Sequence, residues 1–199
     1  LLESMDAVTA YPDPDAVALK EAIALQYRVP VECIETGNGA VELMYLLCRI
    51  LTPKRVLTPS PTFSEYESAA GAAGLPIVKM RLRESAGFVP DLDELAQSLC
   101  PEDLLFLCNP NNPTGVVFTR RQLLPLIERA SEIGAHVVVD ESFNDFRPDA
   151  EAESCRTLVT EYPGVLVLQS LTKFLAVPGL RLGFMLGTQA LIEQMKTLR

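Results

Sequence analysis

The chain has 199 residues, of which 48% are hydrophobic and 22% are charged, with no tryptophan and one histidine. Seventeen Lys and Arg against 26 Asp and Glu give a net charge of −9, which leaves no basic surface for binding nucleic acid. These values exclude a disordered segment and a disulfide-stapled miniprotein, and they predict a globular domain with a substantial core.

Helical and extended segments alternate along the chain. Asp13-Pro14 predicts the start of a helix that has Asp13 as its N-cap and continues to about Arg28. A second helix is predicted from Gly39 to Leu51, and three more are predicted at 62–73, 91–99 and 119–133. Short apolar runs predict strands at 55–58, 76–80, 104–108, 136–139 and 165–168.

This alternation predicts the fold class and the surroundings of the protein. Strands that alternate with helices predict one α/β domain, with a mainly parallel sheet and helices on both faces, in three αβα layers. The most apolar region, 174–186, is interrupted by Pro178, Gly179 and Arg181 and is too short to span a membrane. No signal peptide is visible, and the five cysteines lack metal-binding spacing. We therefore expect a cytoplasmic protein without a metal site.

Polar residues follow four of the five predicted strands. They form the segments 59–63, 109–115, 140–143 and 170–173. Ligands of such folds bind beyond the carboxyl ends of the strands, so these segments are expected to converge on one crevice. There they would supply an aromatic ring, an amide, a carboxylate and an amine.

Two charged side chains at these strand ends are candidates for chemistry. Partial desolvation of Lys173 would lower the pKa of its amine and make the amine nucleophilic, which suits Schiff-base chemistry. The alternative is a lysine that extends into solvent. Asp140 could cap a helix or form a structural ion pair, or it could face a protonated pyridine nitrogen. By contrast, Lys20 is predicted to be an ordinary surface lysine, and Asp103 to be a solvated loop residue.

Two further features could bind an anion. Gly37-Asn38-Gly39 precedes a predicted helix, whose first backbone N–H groups can hold a phosphate. Arg181 follows Lys173 by eight residues, and its guanidinium could grip a phosphate through two hydrogen bonds. A common turn and a surface arginine are the alternatives.

Taken in order, these motifs resemble a known family. Asn-Pro-Asn-Asn-Pro-Thr-Gly at 109–115, Asp140-Glu141-x-Phe143, Ser170-x-x-Lys173 and Arg181 are similar to the fold-type-I pyridoxal-phosphate (PLP) enzymes, the class I/II aminotransferases. Tyr11-Pro12-Asp13-Pro14 and Gly37-Asn38-Gly39 resemble the branch that contains histidinol-phosphate aminotransferase and threonine-phosphate decarboxylase.

The resemblance implies an aminotransferase-like large domain and a set of residues that contact PLP. Lys173 would form a Schiff base with the cofactor, and Asp140 would keep the ring nitrogen protonated. Asn112 would donate to the ring 3′-oxygen, and Phe63 would stack on the ring. The phosphate would be held by six residues: Gly39, Ala40, Val41, Ser170, Thr172 and Arg181.

The resemblance also implies a dimer and a larger protein. Tyr11 would reach the phosphate of a neighbouring subunit, so a homodimer is expected. Phe143 departs from the family, since most aminotransferases carry at this position a Tyr whose hydroxyl donates to the 3′-oxygen. Residues 1–199 would form the PLP-binding large domain of an enzyme whose N-terminal arm and C-terminal small domain are absent here.

The expected activity acts on an amino acid that carries a phosphate. The resemblance favours a decarboxylase similar to threonine-phosphate decarboxylase, because Asp140-Glu141-x-Phe143-x-Asp145-Phe146 is more similar to that branch. The alternative within the family is histidinol-phosphate aminotransferase or another amino-acid transaminase. The alternative from another class is the PLP-sensing, aminotransferase-like domain of a transcription regulator.

Overall fold

The computed structural model describes residues 9–197 of the chain. Its strands are β1 (Ile34–Asn38), β2 (Arg55–Ser60), β3 (Ile77–Arg81), β4 (Asp103–Cys108), β5 (His136–Asp140), β6 (Val165–Ser170) and β7 (Leu182–Leu186). Its α-helices are α1 (Val17–Tyr27), α2 (Ala40–Ile50), α3 (Glu65–Ala72), α4 (Leu92–Ser98), α5 (Arg120–Ile133), α6 (Ala150–Glu153), α7 (Leu171–Phe174) and α8 (Gln189–Thr197). The five predicted strands and five predicted helices are therefore confirmed, with small shifts of their ends.

All seven strands form one sheet, in the order β1-β7-β6-β5-β4-β2-β3. Strands β3, β2, β4, β5 and β6 are parallel to one another, whereas β7 is antiparallel to both of its neighbours, β1 and β6. The prediction of a mainly parallel sheet is confirmed. Strands β1 and β7 were not predicted; they are the first and last strands within residues 9–197, and they lie side by side.

Helices cover both faces of the sheet. Apolar side chains of α1, α4 and α5 pack with Leu105, Val137 and Val167 on one face. Those of α2, α3 and α8 pack with residues such as Phe106 and Leu166 on the other. The predicted three-layer αβα architecture is confirmed. Within residues 9–197, no helix combines the length and the apolar character needed to cross a bilayer.

Helix α1 begins at Val17 rather than at Pro14, so the predicted start was wrong. The carboxylate of Asp13 accepts the backbone N–H of Asp15 at 3.0 Å and that of Val17 at 2.9 Å. Ala16 precedes the helix in the left-handed region, with φ of 49°. Asp13 therefore stabilises the turn that leads into the helix and binds its first N–H group, but the N-cap position itself is occupied by Ala16.

Two charged residues that were predicted to be solvated are buried. Lys20 of α1 is 7% exposed, and its amine lies 3.0 Å from Oε2 of Glu35 on β1. Asp103 is fully buried at the start of β4 and accepts from Nε of Arg55 at 2.9 Å. A buried charge needs such a partner. Both pairs join residues on different elements, so local sequence does not reveal them.

Candidate active site

The segments that follow the parallel strands meet at one edge of the sheet, as their order predicts. The backbone N–H of Asn109, after β4, donates to the carbonyl of Asp140 on β5 at 2.9 Å. The hydroxyl of Thr62, after β2, donates to Oδ1 of Asn111 at 2.6 Å. These bonds join the loops after β2, β4 and β5 at one edge of the sheet.

Lys173 lies at the same edge of the sheet because the short helix α7 begins directly after β6. Its amine donates to the hydroxyl of Ser170 at 2.9 Å. The hydroxyls of Ser170 and Thr172 are themselves 2.9 Å apart. The amine also stands 5.8 Å from the ring centroid of Phe143. The two buried hydroxyls, which the resemblance assigns to a phosphate, are thus engaged with the lysine and with each other.

The surroundings of Lys173 lower the pKa of its amine. Burial of the amine lowers its pKa most. The carboxylate of Asp140 raises that pKa, the guanidinium of Arg181 lowers it, and the net shift is downward. The stem of Lys173 is exposed, but the amine turns back toward the strand ends. A larger fraction of the amine is therefore neutral and nucleophilic than in an ordinary lysine.

Asp140 is 2% exposed and accepts three hydrogen bonds. Oδ1 accepts the backbone N–H of Ser142 at 3.0 Å and its hydroxyl at 2.6 Å. Oδ2 accepts the hydroxyl of Tyr66 at 2.7 Å. Among the residues that the structure describes, Asp140 forms no salt bridge. Tyr66 was not predicted to belong to the site, because in α3 it has the spacing of an ordinary core residue.

The turn before α2 requires glycine at two positions, Gly39 in the turn and Gly183 on β7, because a Cβ at either would overlap neighbouring atoms. A Cβ at Gly39 would lie 2.5 Å from Nη2 of Arg181, and Gly39 has a φ of 78°. Gly183 of β7 pairs with Gly37 of β1, and a Cβ at Gly183 would overlap the backbone nitrogen of Ala40. The amino end of α2 can therefore lie directly on β7, with the guanidinium of Arg181 against the turn. This cradle combines a cation with helix N–H groups and suits an anion.

The two central asparagines of the Asn-Pro-Asn-Asn-Pro-Thr-Gly motif differ in their contacts. The amide of Asn111 donates to the carbonyl of Pro61 at 3.1 Å and to the hydroxyl of Thr114 at 2.8 Å, and it accepts from Thr62. The side-chain amide of half-buried Asn112 has no hydrogen bond to any residue within 9–197. Asn112 is therefore the one with an amide available to a ligand.

We expect Asn111→Ala to lower the free energy of unfolding by about 2 kcal/mol, because a buried amide loses three hydrogen bonds. Asn112→Ala, the matched variant one residue away, is expected to change it by less than about 0.5 kcal/mol. Urea unfolding of both variants measures the difference. Equal destabilisation would contradict this division of roles.

Phe63 and Tyr11 lie at different distances from the crevice. Phe63 is half-buried after β2, and its ring meets the ring of Tyr66 edge-on, with centroids 5.6 Å apart. Tyr11 precedes α1 and is fully exposed. Ala40 is buried and Val41 half-buried in the first turn of α2. The predicted site residues of one chain are thus brought together, except for Tyr11.

A comparison with known families places the chain. Residues 2–199 match the model of the family described as aminotransferase class I and II. The chain belongs to this family. The resemblance derived from the ordered motifs is thereby confirmed.

Individual relatives come from the branch that the sequence motifs indicated. The chain is 36% identical over 189 residues to threonine-phosphate decarboxylase of Salmonella typhimurium, covering 94% of this chain and 51% of that protein. It is 35% identical over 206 residues to histidinol-phosphate aminotransferase of Desulfitobacterium hafniense, covering 100% and 55%. The chain thus spans about half the length of these relatives.

A solved structure supports the fold. The crystal structure of L-threonine-O-3-phosphate decarboxylase from Porphyromonas gingivalis superposes with a TM-score of 0.81 at 24% identity. The match covers 98% of this chain and 57% of that one. At this identity the match establishes the shared architecture of the sheet and its helices.

Proposed function

We propose that the chain is the PLP-binding large domain of a longer enzyme that acts on a phosphorylated amino acid through Lys173. One observation carries the proposal. The amine of Lys173, the carboxylate of Asp140, the available amide of Asn112 and the cradle formed by Gly39 and Arg181 lie at the same edge of the sheet, at the carboxyl ends of its parallel strands. Family membership and the names of the relatives support it.

The residues of the crevice fit the parts of PLP. Its phosphate suits the turn before α2, because Gly39 has no side chain there and faces the guanidinium of Arg181. Further phosphate contacts are expected from Ala40, Val41, Ser170, Thr172 and Arg181. Asn112 would donate to the ring oxygen, and Phe63 would lie on the ring face. Phe143 brings no hydroxyl to this site, so the ring oxygen would lack the second donor that a tyrosine provides.

When bound, PLP supplies an aldehyde that combines with amines and a protonated ring that withdraws electrons from the adjacent carbon. Lys173 would bind the aldehyde carbon and later carry a proton to or from the substrate Cα. Asp140 would hold the proton on the ring nitrogen. The lowered pKa of the Lys173 amine and the three hydrogen bonds that hold the Asp140 carboxylate suit these roles.

Covalent binding of PLP tests the role of Lys173. Incubation of the chain with PLP, followed by borohydride reduction, is expected to add the cofactor mass to the peptide that contains Lys173. Lys173→Ala should abolish this labelling and the accompanying shift of the visible spectrum, whereas Lys79→Ala, the control, should retain both. Labelling that persists in Lys173→Ala, or that occurs at another lysine, would contradict the proposal.

The reaction is best tested on the complete protein. We propose decarboxylation of threonine phosphate as the activity, with transamination as the second candidate because histidinol-phosphate aminotransferase is a relative of similar identity. Release of carbon dioxide from threonine phosphate would support the first. Glutamate formed from histidinol phosphate and 2-oxoglutarate, without release of carbon dioxide from threonine phosphate, would support the second. Inactivity with both would contradict a phosphorylated substrate.

We further propose a homodimer in which the exposed Tyr11 reaches the phosphate site of the neighbouring subunit. The ring of Tyr11 is fully exposed and contacts no other aromatic ring among residues 9–197. Sedimentation of the PLP-loaded sample tests this arrangement. A monomer that binds PLP normally would contradict it.

A further inference from the structure

A buried tyrosine connects the two groups that would contact the cofactor ring. Tyr66 of α3 has no exposed surface. Its ring stacks on Phe106 of β4, with centroids 4.9 Å apart and planes at 5°. Phe63 meets the same ring edge-on. Packing on two sides therefore fixes the direction of the hydroxyl.

That hydroxyl determines how Asp140 is held. Tyr66 donates to Oδ2 at 2.7 Å, while both bonds from Ser142 go to Oδ1. A carboxylate oxygen has two acceptor sites, so Oδ2 can accept one more donor beside Tyr66. Burial, followed by the negative charge of Asp140, raises the pKa of Tyr66 well above its ordinary value. Tyr66 therefore keeps its proton and remains a hydrogen-bond donor to Asp140. It does not act as a base that would compete with Asp140 for a proton of the ligand.

We propose that Tyr66 is a positioning residue, which fixes the plane of the Asp140 carboxylate so that the second acceptor site of Oδ2 faces a pyridine nitrogen. Tyr66 itself does not reach the ring. It acts through Asp140 and, by its edge contact, sets the position of Phe63. The inference rests on the proposed function, since it assumes that PLP occupies the crevice.

An analogue of PLP in which a C–H group replaces the ring nitrogen separates positioning from packing. Dissociation constants of PLP and of this deaza analogue are measured on the full chain. Tyr66→Phe is expected to weaken PLP about tenfold, the effect of losing one hydrogen bond to a charged group. The deaza analogue should change less than twofold, because it presents nothing to Asp140. Ser68→Ala removes an exposed hydroxyl from the same helix and should change neither constant.

A double-mutant cycle supplies a second test. In an Asp140→Asn background, Tyr66→Phe should alter PLP affinity less than twofold. A ring-fluorinated tyrosine in place of Tyr66 keeps the packing and changes only the strength of the donor. It should shift the PLP constant alone, and it covers the case in which Tyr66→Phe does not fold.

The outcomes distinguish this inference from the proposed function. Equal losses of PLP and deaza analogue, or no loss of either, would overturn the positioning role while leaving Lys173 labelling intact. Failure of the wild-type chain to bind PLP at Lys173 would overturn the proposed function and this inference with it.

Discussion

Gly183→Ala is expected to lower the free energy of unfolding by about 3 kcal/mol, which is large for the addition of one methyl group. The added Cβ would overlap the backbone nitrogen of Ala40 and lie 2.7 Å from the carbonyl carbon of Gly39. Backbone atoms cannot rotate away as a side chain can, so β7 or α2 must move. Because the turn before α2 moves with them, PLP affinity should fall as well.

Gly187→Ala is the matched control for this variant. Gly187 is also buried and directly follows β7. A Cβ there would meet its nearest atom, a methyl group of Leu166, at 3.4 Å, which is an ordinary contact. Urea unfolding should place Gly187→Ala within about 0.5 kcal/mol of wild type. Similar losses in both variants would show that the Gly183 contact has no special cost.

We also expect Glu141 to make the free energy of unfolding depend strongly on pH. Glu141 is fully buried, accepting the hydroxyl of Ser154 and the backbone N–H of Cys155, each at 2.6 Å. Burial raises its pKa from 4.5 to about 7, against the opposing effect of these two bonds and of Arg156. The folded chain therefore keeps a proton on Glu141 at pH values where the unfolded chain has released it.

Because the folded chain holds the proton more tightly, Glu141 makes the free energy of unfolding fall as the pH rises. Stability from Glu141 is complete below pH 4.5, falls as the pH rises, and is lost above about pH 7. The free energy of unfolding changes by about 3 kcal/mol in total, because the pKa of Glu141 is about 7 in the folded chain and 4.5 in the unfolded one. Burial also lowers the pKa of His136, which changes stability in the opposite direction over part of this range.

Glu141→Gln isolates the contribution of Glu141, because glutamine does not titrate and all other groups are unchanged. Unfolding free energies of wild type and variant are measured between pH 4.5 and pH 8. The unfolding free energy of the variant minus that of wild type should rise by about 3 kcal/mol from pH 4.5 to pH 8. A constant difference between the two proteins would contradict a proton on the buried carboxylate.

The sequence was most informative where polar residues follow apolar strands. Lys173, Asp140 and Asn112 could be found because a parallel sheet brings its strand ends to one edge. Choosing Asn112 over Asn111 came from the resemblance, and the hydrogen bonds of Asn111 now give a physical reason for it. Tyr66 could not be found in this way, because a buried tyrosine in a helix has the same pattern as any core residue.

Strands β1 and β7 were not predicted, for a different reason. Strand β1 contains Glu35, Gly37 and Asn38, and β7 contains Gly183; such residues are unfavourable or neutral in strands. Pairing with each other across the sheet stabilises both segments. The burial of Lys20 has the same origin, since its partner Glu35 lies on β1. Such tertiary effects override local preference, and only the assembled sheet reveals them.

The pairing of β1 with β7 also has a consequence for synthesis. Gly37 and Gly183 are partners although 146 positions (183 − 37) separate them along the chain. A ribosome makes the amino-terminal part first, so the nascent chain carries β1 without its neighbour until translation has passed Leu186. The anion cradle can therefore form only after residue 186 has been made, and vitamin B6 can assist folding of this sheet only from that point on.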